Sequence, residues 1–258
     1  MLEKFIAGCL RLIKPSHSEE YERSIQVYPS TYRVKSLSEQ VQCLMQCFCD
    51  LRLSKACEKL IIRIESGQVK LPEGAEGWFV VPDCRNDPRA FGANYSEDLQ
   101  TVFRTIGDHN DAYITSVYHS DELGSEYLHQ STRTERLKRE LSSRQDYQDL
   151  LVFPAQFGMR YRGYSGRLVQ KMVMRTPGEF SLGAVDTGFM LLTHPDRLIN
   201  YGDLWVSCPG DKLRPIDKMF PSNVPRFRYM GGKLEFDAVS SNEADARTGA
   251  ATGFLVDI

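Results

Sequence analysis

The sequence predicts an α+β protein, with a helical N-terminal segment packed on a mixed domain of short, mainly antiparallel strands. Three observations carry this reading. Helical periodicity dominates up to Ser66-Gly67, where a glycine suits a helix exit. Beyond Gly67, short apolar runs alternate irregularly with helical stretches, which argues against regular βαβ winding. Towards the C-terminus the chain becomes rich in glycine and proline around short apolar runs, the texture of strands and turns. The change places a boundary near residue 70, giving a helical segment over 1–70 and a mixed unit over 71–258, or one continuous domain.

Each element follows from a local pattern. Residues 2–13 read as a short amphipathic helix stopped near Pro15. A stronger helix begins around Ser36 or Ser38 and runs toward Ser66, with Leu37, Val41, Leu44, Phe48 and Leu51 at helical spacing; its length invites a break near Asp50 or Ser54. "GWFVVP" (Gly77 to Pro82) is a buried-type strand, and Asn94 to Asp108 is a capped helix with Leu99, Val102, Phe103 and Ile106 on one face. Ala112 to Tyr118 is strand-like, Thr132 to Gln145 a charge-laced helix, and Leu150 to Pro154 another strand. Gly188 to Pro195 is apolar but too short for periodicity to decide between helix and strand. Asp203 to Cys208 is a strand. Arg226 to Phe236 is a hairpin around Gly231-Gly232, whose two central residues are free to take positive φ.

The composition is that of an ordered globular chain: 41% hydrophobic, 26% charged, formal charge −2. No apolar run approaches the roughly 20 residues of a membrane helix, so no membrane partner is expected. "FIAGC" (Phe5 to Cys9) looks like a lipoprotein cleavage box, but Glu3 and Arg11 interrupt the apolar stretch that a secretory signal needs. The seven cysteines are odd in number and read as reduced thiols of a cytoplasmic protein. Cys43 and Cys47 have a metal-ligand spacing, yet no second pair and no histidine close in sequence follows. The expectation is therefore no metal and no cofactor, with these cysteines acting as small core residues.

Charge is distributed unevenly. Residues 1–132 carry 14 basic and 19 acidic groups, residues 133–175 carry 10 and 4, and residues 176–258 carry 8 and 11. In the middle block, Glu135 with Arg139 and Glu140 with Arg136 stand at helical ion-pair spacing. The stretch from Pro154 to Arg175 is different, because it holds Arg160, Arg162, Arg167, Lys171 and Arg175 without one acid. Tyr161 and Tyr164 alternate with the arginines, and Gly158, Gly163 and Gly166 allow close backbone approach. Guanidinium forks suit phosphates, tyrosines offer stacking faces, and a helix starting after Ser165 would present free N–H groups to an anion. The candidate ligand-binding residues of this 156–175 segment are Arg160, Tyr161, Arg162, Arg167 and Lys171, with a phosphate-bearing ligand or nucleic acid as partner. The alternative is internal bracing by carboxylates of the acidic flanks. No nucleotide fingerprint is present, and a pI near 6.2 is low for a dedicated DNA-binding domain.

For catalysis, the candidates are His194 and Asp196 in "LLTHPDRL", where an apolar run delivers an imidazole to a turn. A hydrolase-type enzyme using His194 with a nearby carboxylate is thus a second reading. A bond from His194 to a backbone carbonyl is the structural alternative. No H-E-x-x-H or G-x-S-x-G motif supports an enzyme. A third reading is a structural or partner-binding protein whose interface lies on the N-terminal helices; the oligomeric state stays open.

The stretches "GWFVVP", "PAQFGMRYRG", "GEFSLGA", "LLTHPDRL" and "DLWVSCPGD" resemble a group of uncharacterised bacterial proteins of candidate-phylum type. The resemblance covers 77–258 and brings no activity with it. It implies a bacterial cytosolic setting and a unit beginning near Gly77.

Overall fold

A computed structural model describes residues 20–84, 91–110, 114–116, 123, 127–146, 149–213 and 223–256. The helix expected over 2–13 and the "FIAGC" box lie outside the described residues. The architecture is α+β. Six α-helices are described, with two sheets of mostly antiparallel strands, one of which also contains parallel pairs.

The long N-terminal helix divides into α1 (Leu37–Cys47) and α2 (Lys55–Glu65). Ser36, not Ser38, starts α1 through a capping box: its hydroxyl accepts from Glu39 N–H while the Glu39 carboxylate accepts from Ser36 N–H. Phe48 leaves helical φ/ψ, and Ser54 restarts the helix by accepting from Cys57 N–H. α2 ends at Ser66, with Gly67 at φ +75° in the left-handed region as its position requires.

Beyond this pair come β1 (Gly77–Pro82), α3 (Tyr95–Asn110), β2 (Ile114–Ser116), β3 (Leu128–Gln130), α4 (Thr132–Arg144) and β4 (Leu150–Gln156). A 3-10 turn (Met159–Tyr161) leads into α5 (Gly166–Arg175), β5 (Glu179–Ser181) and α6 (Ala184–Thr193). The ambiguous "GFMLLT" run therefore belongs to a helix. All ten residues of α6 are buried, so it has no polar face and no amphipathic period to announce it. A second 3-10 turn (Pro195–Arg197), β6 (Trp205–Ser207) and β7 (Asp211–Leu213) follow. The hairpin β8 (Asn223–Met230)/β9 (Lys233–Ser240) turns at Gly231-Gly232, both at positive φ as expected. Strands β10 (Thr248–Ala250) and β11 (Thr252–Phe254) are separated by one residue and enter different sheets.

The first sheet has the order β1-β4-β11-β5, all antiparallel. The second runs β10-β6-β8-β7-β3, with β9 joining β8 to β2, and its β10/β6 and β2/β9 pairs are parallel. One contiguous hydrophobic cluster joins Leu37, Val41 and Leu44 of α1 to Phe79, Phe153, Phe189 and Phe227. Of the thiols expected in the core, Cys57 is buried, as is Cys208. Cys43 and Cys47 are half-buried, Cys47 packing against the cluster, and Cys49, beyond the end of α1, is exposed.

Glutamine side chains complete the first sheet where ladder bonds run out. Gln40 of α1 is fully buried at the free edge of β1. Its amide donates to Trp78 O (2.9 Å) and its carbonyl accepts from Val80 N–H (2.9 Å), as a neighbouring strand would. Gln145 does the same for Val152 of β4, donating to its carbonyl at 2.6 Å and accepting from its N–H at 2.9 Å. Gln40 also donates to Lys35 O (2.9 Å), tying the start of α1 to the sheet. Gln40→Leu leaves two strand groups dry and unpaired, so it should lower unfolding free energy in urea by about 2–4 kcal/mol. A surface substitution such as Gln42→Leu should change it by less than about 0.5 kcal/mol.

Candidate functional site

The arginine- and glycine-rich segment leaves β4 and is laced to residues 20–27. Gly163, at φ +78°, sits where a Cβ would lie 2.0 Å from the Glu22 carbonyl oxygen; Gly163 O in turn accepts from Glu22 N–H (2.7 Å). Gly158, at φ +129°, lies against the backbone of Gly249. Ser165 N–H donates to Glu20 O, and Tyr21 packs on Tyr164 with tilted rings whose centroids are 4.7 Å apart. These two glycines thus admit other stretches of this chain.

The candidate ligand residues divide into two sets. Arg160 and Tyr161 face Glu179, which is fully buried. The Tyr161 hydroxyl donates to Glu179 Oε2 (3.0 Å), Thr252 donates to Oε1 (2.8 Å), and Arg160 Nε lies 3.6 Å from Oε1. Arg162 donates to the Gln26 carbonyl at 3.3 Å. Arg167 and Lys171 stand one turn apart on α5, about half exposed, and share the single carboxylate of Glu20. The α5 N-terminus is closed to an anion: Ser165 accepts from Leu168 N–H, and Arg167 N–H is taken by Ser241 O.

α4 abuts this helix through Arg133, whose guanidinium reaches Val173 O (3.5 Å) at the C-terminal turn of α5 and Glu179 O (3.2 Å). On α4, Glu135 pairs with Arg139 as its spacing suggests, whereas Glu140 turns to Arg144 and not to Arg136. Among the described residues Arg136 and Arg175 have no carboxylate within ion-pair distance, and both are exposed.

His194 ends α6 with an exposure of 1%. Its Nε2 accepts from Lys35 N–H (3.0 Å), so the proton is on Nδ1, which donates to Met190 O (3.0 Å). Phe79, Phe157 and Tyr32 surround the ring. Burial pulls its pKa down to about 4. Asp196 is exposed and makes no hydrogen bond to the ring, so these two residues are not brought together. Arg197, fully buried, donates to Leu204 O (2.8 Å) and Phe157 O (3.2 Å) and stacks on Tyr28 at 3.7 Å. The expected bond to a carbonyl is the role His194 plays: it pins the strap before α1 to the end of α6.

Two features escaped sequence reading. One is a buried polar centre. Lys138 of α4 donates to Asp186 of α6 (2.6 Å), and the Tyr95 hydroxyl reaches both oxygens of Asp211 (2.9 and 2.7 Å). Burial pushes Asp98 and Asp211 up to about 7. These residues are scattered over four elements, and no spacing in the sequence links them. The other is an apolar groove of about 570 Å³ between α1 and α2, lined by Val41, Met45, Leu53, Ile61 and Ile62.

The titrations oppose one another. His194, depressed in the fold, stabilises it above its ordinary pKa of 6.5, and that contribution is lost as pH falls toward 4. Asp98 and Asp211, raised in the fold, contribute stability below about 4 that is lost as pH rises toward 7. His194→Gln should therefore remove a loss of about 3 kcal/mol between pH 7 and 4, read from urea unfolding at each pH. Stability of the variant should then fall with rising pH over that range.

No protein-family model matches the chain, and comparison with curated proteins and with solved structures finds no similar protein.

Proposed function

We propose that this protein binds an extended polyanion, the phosphate backbone of a nucleic acid, through a basic face formed by α4 and α5. One observation carries the reading. The excess charge of residues 133–175, which the sequence divides into two stretches, lies on neighbouring helices, joined where Arg133 caps the C-terminal turn of α5. Their acids are engaged by Arg139 and Arg144, and Glu20 alone serves both Arg167 and Lys171. Arg136, Arg167, Lys171 and Arg175 remain as exposed cations on helical surfaces. Arg160 and Tyr161 are engaged by Glu179 and Arg162 by the Gln26 carbonyl, so they are left out of the face. The closed N-terminus of α5 favours an extended backbone over a single phosphate held in a cradle.

Titration of a fluorescent single-stranded oligonucleotide over increasing salt tests this. Four phosphate contacts predict a log–log slope of about −3. Alanine at Arg136, Arg167, Lys171 and Arg175 together should bring the slope close to zero, while Arg139→Ala leaves it nearly unchanged. Absence of binding by the intact protein at low salt, or an unaltered slope in the fourfold variant, overturns the proposal. Binding of inorganic phosphate that blocks the oligonucleotide only at Arg160 would overturn it in favour of a small ligand.

A further inference from the structure

The cysteines of α1 acquire a partner in the fold that the sequence does not suggest. Cys43 and Cys47 are one helical turn apart on the same face. His109, in the last turn of α3, comes against them from 62 positions beyond Cys47. The donor atoms of the three residues all lie within 4.8 Å of one another, and Cys43 Sγ stands 3.5 Å from His109 Nε2. In a tetrahedral zinc site, bond lengths of about 2.3 Å to sulfur and 2.05 Å to nitrogen place those two atoms about 3.6 Å apart. The sulfur–nitrogen separation is thus already that of two ligands on one metal.

Surroundings and burial agree with this chemistry. Cys43 and Cys47 are half-buried and His109 is exposed, so an ion can reach the group from solvent. A polar recess of about 380 Å³ opens beside Cys47 and His109, and its wall carries Gln46, Thr101, Arg104 and Asp108. Cys43 S–H donates to the Leu192 carbonyl at the end of α6 (3.8 Å), a bond that zinc binding, which takes that proton, would release. Two thiols and an imidazole select a borderline-soft cation over magnesium or calcium, which take oxygen ligands.

We propose that Cys43, Cys47 and His109 form a three-ligand site for zinc(II), with the fourth coordination position left to water or a small anion from the adjoining recess. The site would clasp α1 to α3, elements that otherwise meet through the core. Binding replaces thiol protons by metal, releasing them to solvent, and needs no oxidant or reductant.

Cobalt(II) is the probe, added to the full-length protein with its thiols kept reduced under anaerobic conditions. One equivalent should produce the visible bands and sulfur-to-cobalt charge-transfer absorption of a tetrahedral thiolate site, and zinc should abolish them. Cys43→Ser and Cys47→Ser should each diminish the charge-transfer band. His109→Ala should weaken affinity by more than about tenfold, the loss seen even for outer-shell partners. Cys49→Ser should retain the full spectrum. Should the variants fail to fold, alkylation of the unaltered protein still decides: zinc should protect Cys43 and Cys47 from iodoacetamide while Cys49 reacts. A featureless cobalt titration, an undiminished band in the Cys43→Ser, Cys47→Ser double variant, or equal alkylation of all three thiols with zinc present overturns the assignment.

Discussion

The first sheet depends on an amide that belongs to a helix. A β-strand edge presents unpaired N–H and C=O groups, and inside a protein each such group is costly unless bonded. β1 is such an edge, its middle residues fully buried, and α1 covers it. Gln40 resolves the conflict between covering the strand with an apolar helix and leaving its peptide groups dry. The same device recurs at Gln145 on β4, and Gln156 extends it toward β10 and β11 by donating to Ala250 O and Thr252 Oγ1. Gln40 and Gln145 therefore do the work of absent strands. Gln40 fixes the orientation of α1, and with it the cysteines that α1 carries toward α3.

Much of the fold was legible because its elements announce themselves locally. Ser54 and Gly67 mark helix boundaries by their chemistry, and Gly231-Gly232 marks the hairpin. α6 was not legible as a helix, since burial on every side removes the contrast between faces that periodicity relies on. Short strands such as β7, β10 and β11 carry three residues each and depend on neighbours far away in sequence for their pairing. The glycines of the basic stretch suggest close approach of the backbone to a ligand. What approaches Gly158 and Gly163 is the protein's own backbone, a fact that no local pattern contains.

Candidate sites divide along the same line. The charge excess of residues 133–175 is visible as a composition, but which arginines face water depends on Glu20 and Glu179, contributed from before and after the block. His194 looked available because its sequence neighbours are a turn and an acid. Its actual neighbours are Lys35 N–H, Met190 O and three aromatic rings, which favour a neutral, fixed imidazole. Cys43 and Cys47 have a readable spacing; His109 reaches them only through the tertiary course of α3.

The strap of residues 20–27 bears on how the molecule assembles. Its backbone is bonded to Gly163 and to Leu204, and it bridges to Tyr164 and Asp203. Synthesis delivers this segment first and its partners more than a hundred residues later. During that interval the strap has nothing to pair with, and Ile25 and Val27 stay exposed even in the finished protein, at 80% and 54%. Closure of the strap therefore has to wait until the stretch through β6 has been synthesised.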